Sequence, residues 1–258
     1  MALDPNQSPA FDFTRRVERY YAALIPSANS ATESSAGPSL GGHLLYAGQL
    51  GEEARALVVA ANIAGAATLI ASADAAAQRQ AIRDGVTDFL VNSLSEALRI
   101  LKNEIRKRQP VAVCVAAPPE AVEREMIERG VAPDLLLCDA NGRPRFSVAL
   151  EIRAQRIALS LIAENQVCLQ WHVAAEPARW LPKLDAIALD CLPRDDASAR
   201  RWLRLAPRYL GRLAQGVRVL SCKPEAAKDF KQRVQLAVER GEIGVPLEIG
   251  LTTNPLTG

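Results

Sequence analysis

A turn built on Gly48 and Gly51 separates an apolar run, Leu44–Ala47, from a long Ala/Val-rich segment closed by Gly65. Glycines placed between a strand and a helix let the backbone approach a phosphate, which the helix's first N–H groups then hold. This is how a nucleotide site begins. Yet Glu52, Glu53 and Arg55 stand where bare backbone is needed. Two carboxylates beside a pyrophosphate repel it, at partly buried separations of ~4–6 Å by on the order of a kcal/mol or more per pair. Arg55 would offset part of that. The same carboxylates in a helix's first turn stabilise it by about 0.3–1 kcal/mol, so a tight turn kept for packing accounts for them better. Gly48, Gly51, Glu52 and Arg55 are the candidate ligand-facing residues of this corner.

Further chemistry is sparse. Of the two histidines, His43 precedes the first strand-like run and His172 lies in QWHV, with no partner legible in sequence. No His or Cys spacing suits a metal, and none is expected. The five cysteines are widely spaced and mostly set in apolar runs, which reads as reduced, buried thiols. Cys138-Asp139 and Asp190-Cys191 fall at expected strand ends, where open parallel sheets bind ligands; with Asn141 and Arg143 they form a second candidate lining, although buried thiols and turn-forming Asp and Asn account for them better. Residues 200–240 carry eleven basic against three acidic side chains, with Arg200, Arg204, Arg208 and Arg212 at i+4 steps. A phosphate-facing stripe and a solvated helix face both fit this pattern; the second is expected, and nucleic acid is not.

The elements that must position these residues can be read from the apolar pattern. Strand-like runs at Leu44–Ala47, Ala67–Ala71, Asp88–Val91, Val111–Ala116 and Asp134–Cys138 alternate with helical runs at 51–64, 74–84, 95–108 and 119–129. Strands apolar throughout and separated by helices predict a parallel sheet covered on both faces. The alternation continues with strands expected at Val167–Val173, Asp185–Leu189, Val217–Ser221 and Val245–Ile249, and helices at 176–183, 197–213 and 224–240. Residues 140–165 are ambiguous: NGRP is a turn, and SVALEIRAQRIALSLIAEN (147–165) reads better as helix than as strand. The fold class is α/β: three-layer, with a mainly parallel sheet and a Rossmann-like core. An amphipathic helix is expected at 11–25 and a Ser/Ala/Gly/Pro linker at 26–42, so 1–42 is a helix plus linker. Residues 43–145 form the core, and 146–258 are further α/β elements of the same or a second domain. At 258 residues, 49% hydrophobic, 23% charged and a net charge of +2, the chain has ordinary globular composition. MALDPNQSPAFDF has no basic stretch followed by an apolar core, and the least polar window, 57–73, is interrupted by Asn62, Gly65 and Thr68. A cytoplasmic protein with no membrane span is expected.

The run from Gly41 to Asp139 resembles the NAD-binding core of urocanase (urocanate hydratase). LLYAG-QLGEEARAL-VVAANIAG is similar to that family's LTAG strand, GLGGMGGAQ loop and PLAATMAG helix, with one extra residue at Gln49. LIASADAAAQRQAIRDGVTDFLVNSLSEALRI resembles the family's second strand, Arg-containing helix and D-x-LxEAL helix. RGVAPD (Arg129–Asp134) is the most specific match. The resemblance implies that Ser72 stands at the position of the ribose-binding acid, with Asp74 two residues on, and that Asp139 is what remains of the family's TDQT strand end. Family loop glycines are replaced by Glu52, Ala54 and Arg55, and the cysteine-bearing catalytic loops have no counterpart here.

Two functions fit these residues. The first is a diverged urocanase relative, incompetent as a urocanase, with no catalytic residue to assign and no cofactor expected; it would act as a binding or interaction protein for a small molecule or nucleotide. The second is an active hydro-lyase of histidine metabolism that retains NAD, which in this family adds to the substrate's imidazole ring so that water can add without net redox. The resemblance also implies a homodimer, and Trp171, Trp180 and Trp202 supply large apolar groups for one.

Overall fold

The computed structural model describes residues 8–29, 38–138, 154–157 and 165–252. The chain divides into two compact units, Arg19–Ser160 and Leu161–Gly258 together with Met1–Glu18. Helix α1 (Pro9–Asn29) gives residues to both. It runs past Pro26 to Asn29, four residues into the stretch read as linker, and Leu40 is fully buried. Residues 30–37 of that stretch lie outside the described residues. Among the described residues no helix is long and apolar enough to cross a membrane.

The first unit is a six-stranded, all-parallel sheet flanked by helices. Its strands are β1 (Leu44–Gln49), β2 (Ala67–Ala71), β3 (Phe89–Val91), β4 (Val111–Val115), β5 (Leu135–Leu137) and β6 (Gln155–Ile157), in the order β3-β4-β2-β1-β5-β6. β2, β4 and β5 are buried at every position, as strands sandwiched between helices must be. Tyr46, Leu69, Val113 and Leu136 point to one face, where Leu94, Leu98 and Leu101 of α4 (Leu94–Lys107) and Val122 and Met126 of α5 (Pro119–Glu128) cover them. Helix α2 (Glu52–Ala64), buried from Ala56 to Ala64, packs on β1 and β2. Helix α3 (Ala75–Arg83) lies beside the edge strand β3.

From β1 the chain steps to β2, passes on to β3 at the sheet edge, returns to insert β4 between β3 and β2, and then crosses to place β5 on the other side of β1. The order therefore reverses between β1 and β5, and in such sheets the ligand crevice lies beyond the carboxyl ends of those two strands. The reading of 147–165 as helix is corrected among the described residues: Gln155–Ile157 is a strand paired parallel with Leu135–Leu137. A three-residue strand carries too few side chains to show a period of its own, and pairing with the sheet edge decides it.

The second unit holds a three-stranded antiparallel sheet, β7 (Val167–Val173) between β8 (Val217–Cys222) and β9 (Leu247–Thr252). Helices α6 (Pro177–Cys191), α7 (Ala197–Leu210) and α8 (Pro224–Glu239) accompany it. Trp171 packs on Phe230 of α8, ring centroids 4.9 Å apart and both nearly inaccessible. Asp185–Leu189, expected as a strand, is the interior of α6. A five-residue apolar run has no distinguishing period, and here the helix that starts at Pro177 continues through it.

Candidate functional site

The corner after β1 is built by a local irregularity. β1 and β2 pair in register up to Tyr46↔Leu69, then resume one residue later at Gly48↔Ile70. The extra residue in β1 is a bulge, and Gly48, at φ 71°, takes the left-handed conformation that the bulge demands. Leu50 then donates its N–H to Ala71 O at 3.0 Å, so the loop stays tied to the sheet. Gly51 caps α2 without a left-handed φ, and a Cβ added to it would meet nothing within 4 Å.

Beyond Gly51 stands a set of polar groups with partners inside the chain. The Tyr20 hydroxyl, from the second half of α1, donates to Glu53 Oε2. Arg55 donates through Nη2 to Asp84 Oδ2, just past α3, and both side chains are mostly buried. Burial works against ionisation of Asp84, but hydrogen bonds from Gln80 and Arg55 and the charges of Arg55 and Arg83 outweigh it and hold the carboxyl below its usual range. Glu52 is an exposed carboxylate in the same first turn. At the end of β2, Ser72 is buried; its Oγ accepts from the Asp74 N–H at 3.2 Å and its carbonyl from Gln78 Nε2 at 2.6 Å. Asp74 is the N-cap of α3, its Oδ1 accepting from the N–H groups of Ala76 (2.7 Å) and Ala77 (3.3 Å). Asp139, Asn141 and Arg143 lie outside the described residues.

Other expected site residues scatter. Asp190 and Cys191 sit at the C-terminal end of α6, not at a strand end. Burial pushes the thiols of Cys168, Cys191 and Cys222 up to about 12 and that of Cys114 up to about 11, far from the thiolate a nucleophile needs. His43 precedes β1 and so belongs to the opposite end of the strands, with Nδ1 3.3 Å from Leu40 O. In the basic segment, Arg200 Nη1 donates to Leu189 O at 2.8 Å near the end of α6, Arg218 pairs with Asp185 at 3.1 Å, and Arg233 pairs with Asp229.

The RGVAPD hexapeptide turns out to be a fastener. Gly130 makes the left-handed turn after α5, and Asp134 Oδ2 accepts from Leu44 N–H at 2.7 Å while its own N–H bonds Leu44 O. It thereby sets β5 beside β1 and creates the switch point. Residues 25–140 match the urocanase Rossmann-like domain. The match runs from the last turn of α1 to just past β5, and the antiparallel unit lies beyond the matched segment. The residues that sequence reasoning overlooked are Tyr20, which lies before the matched segment, and Asp84, which lies within it. Each lies about thirty positions from its partner (33 and 29), and nothing in a single sequence signals such a pair.

Proposed function

We propose that this chain is a urocanase-like protein that no longer runs the urocanase reaction and serves as a binding or interaction protein. The observation that carries this is the internal pairing at the nucleotide corner: Glu53 with Tyr20, Arg55 with Asp84, and Asp74 with the amides that open α3. A dinucleotide fits poorly among these residues. Its pyrophosphate would meet the carboxylates of Glu52 and Glu53 at the helix end whose dipole should attract it. Its ribose would meet Ser72 and an Asp74 already bonded to backbone amides. Arg55, placed in the corner to compensate, is held by Asp84. The family match favours the other reading, an NAD-dependent hydro-lyase, but no step of that chemistry can be routed through this set of residues.

The test is direct. Calorimetric titration with NAD⁺ is expected to give no saturable heat, and denatured protein no nucleotide by mass spectrometry. A dissociation constant in the micromolar range or tighter overturns the reading, as does enzyme-proportional loss of urocanate's ultraviolet absorbance that survives repurification. Replacing both carboxylates, Glu52→Gly with Glu53→Gly, should raise affinity for NAD⁺ or pyrophosphate if charge is the obstacle.

A further inference from the structure

The three strands of the antiparallel unit place a gap among polar side chains. Opposite residues of an antiparallel pair project to the same side. Gln170 faces Gly250 and His172 faces Glu248, so one row of the sheet reads Gln170, His172 and Glu248 around a position that has no side chain. Helix α1 lays Phe11 against this face, in a cluster with Cys168, Val217 and Val219. The result is a hollow of about 120 Å³ open to solvent, lined by Phe11, Gln170, His172, Glu248 and Gly250 among others.

Its size and chemistry select a ligand. A cavity of about 150 Å³ holds benzene, so 120 Å³ with an open mouth holds one planar ring or a group of that size. Its polar lining is short of fixed positive charge: the His172 ring stands 3.6 Å from Glu248, and the Glu248 carboxylate is 59% exposed at the mouth, ready to accept N–H donors. Phe11, 4% exposed, adds an apolar wall, its ring already met by the Arg15 guanidinium 5.6 Å from the centroid. Gly250 gives the Gln170 side chain its place: a Cβ there would collide with Gln170 Nε2 and come within 2.8 Å of its Cγ, so a side chain at 250 displaces Gln170, which lines the hollow.

We propose that this hollow is a second binding site, for a planar organic cation of one ring's size whose N–H groups are received by Glu248. It is independent of the nucleotide corner and uses different strands. Benzamidine is the probe, and benzoate, of the same shape and opposite charge, is the control. Titrated into the full-length ¹⁵N-labelled protein at millimolar concentration, benzamidine is expected to shift amide resonances of Val167–Val173 and Leu247–Thr252, and benzoate to leave them in place. Glu248→Gln should weaken benzamidine by about tenfold or more, since charge-assisted hydrogen bonds are roughly twice as strong as neutral ones. Gly250→Ala should abolish binding with the fold intact by circular dichroism; should that variant unfold, the Glu248→Gln comparison decides alone. Equal binding of benzamidine and benzoate, shifts confined to other elements, no shift at all, or a Glu248→Gln protein that binds as well as the original would each overturn the proposal.

Discussion

The two polar regions of this molecule are organised in opposite ways. At the corner after β1, residues that resemble a cofactor loop are each bonded to another part of the chain: Glu53 to Tyr20, Arg55 to Asp84, Asp74 to α3. On the β7–β9 face, residues that match no motif line a hollow open to solvent. The first is a site in sequence and a joint in structure; the second is silent in sequence and has room. A motif reports ancestry through residue type, whereas binding needs polar groups with space beside them for a ligand. The two come apart when a loop changes partners and keeps its backbone.

The largest expected effect breaks the joint. Asp84→Ala leaves the Arg55 guanidinium, 17% exposed, without its carboxylate. A mostly buried charged group stripped of its partner costs about 1–3 kcal/mol. The urea midpoint should fall accordingly with an unchanged denaturant slope. A loss below about 0.5 kcal/mol would place Arg55 among ordinary surface charges, whose removal is usually within that margin, and the corner would no longer count as closed. Gly48→Ala should come next, costing about 1–2 kcal/mol, because a side chain at φ 71° meets the preceding backbone. Were Gly48→Ala neutral, the bulge would be free to relax and the loop to take another course. Asp74→Ala should cost about 1 kcal/mol, the worth of an N-cap, and a larger loss would mean Asp74 supports more than α3.

How far the sequence foretold this differs between the regions for physical reasons. Ala67–Ala71 and Val167–Val173 come out residue for residue, because each is an apolar run bounded by breakers. The parallel order arises from helices between such strands. Asp185–Leu189 misleads, since a short apolar run inside a helix looks like a buried strand. At the site, Gly48 was legible because a left-handed turn leaves a glycine behind. The partners Tyr20 and Asp84 were not, since hydrogen bonds across some thirty residues impose no spacing rule. His172 looked partnerless for the same reason: Glu248 joins it only through strand register.

The smallest effect sharpens the contrast through pH. Glu18, on the first half of α1, is 6% exposed. Burial raises its pKa above the ordinary 4.5, against the lowering influence of Ser221's hydroxyl and backbone and of Arg15, with Cys168 and Cys222 as the other titratable neighbours. A carboxyl whose pKa is higher folded than unfolded favours the native state in its protonated form. Its contribution is therefore complete below about 4.5 and is lost as pH rises through the folded-state value. Asp84 has the opposite sign: its lowered pKa contributes above the unfolded value of 3.8 and is lost as pH falls through the folded one. Glu18→Gln should thus stabilise the protein at neutral pH and do nothing below pH 4.5, whereas Asp84→Asn should destabilise it at neutral pH and become harmless only in stronger acid. Urea midpoints of the two variants and the parent, taken from neutral pH down to the acid limit of the native state, read both signs in one series. A Glu18→Gln protein destabilised at neutral pH would mean that the ionised carboxylate is well satisfied by Ser221 and Arg15, and the burial beneath α1 would then be a second closed joint instead of a strained one.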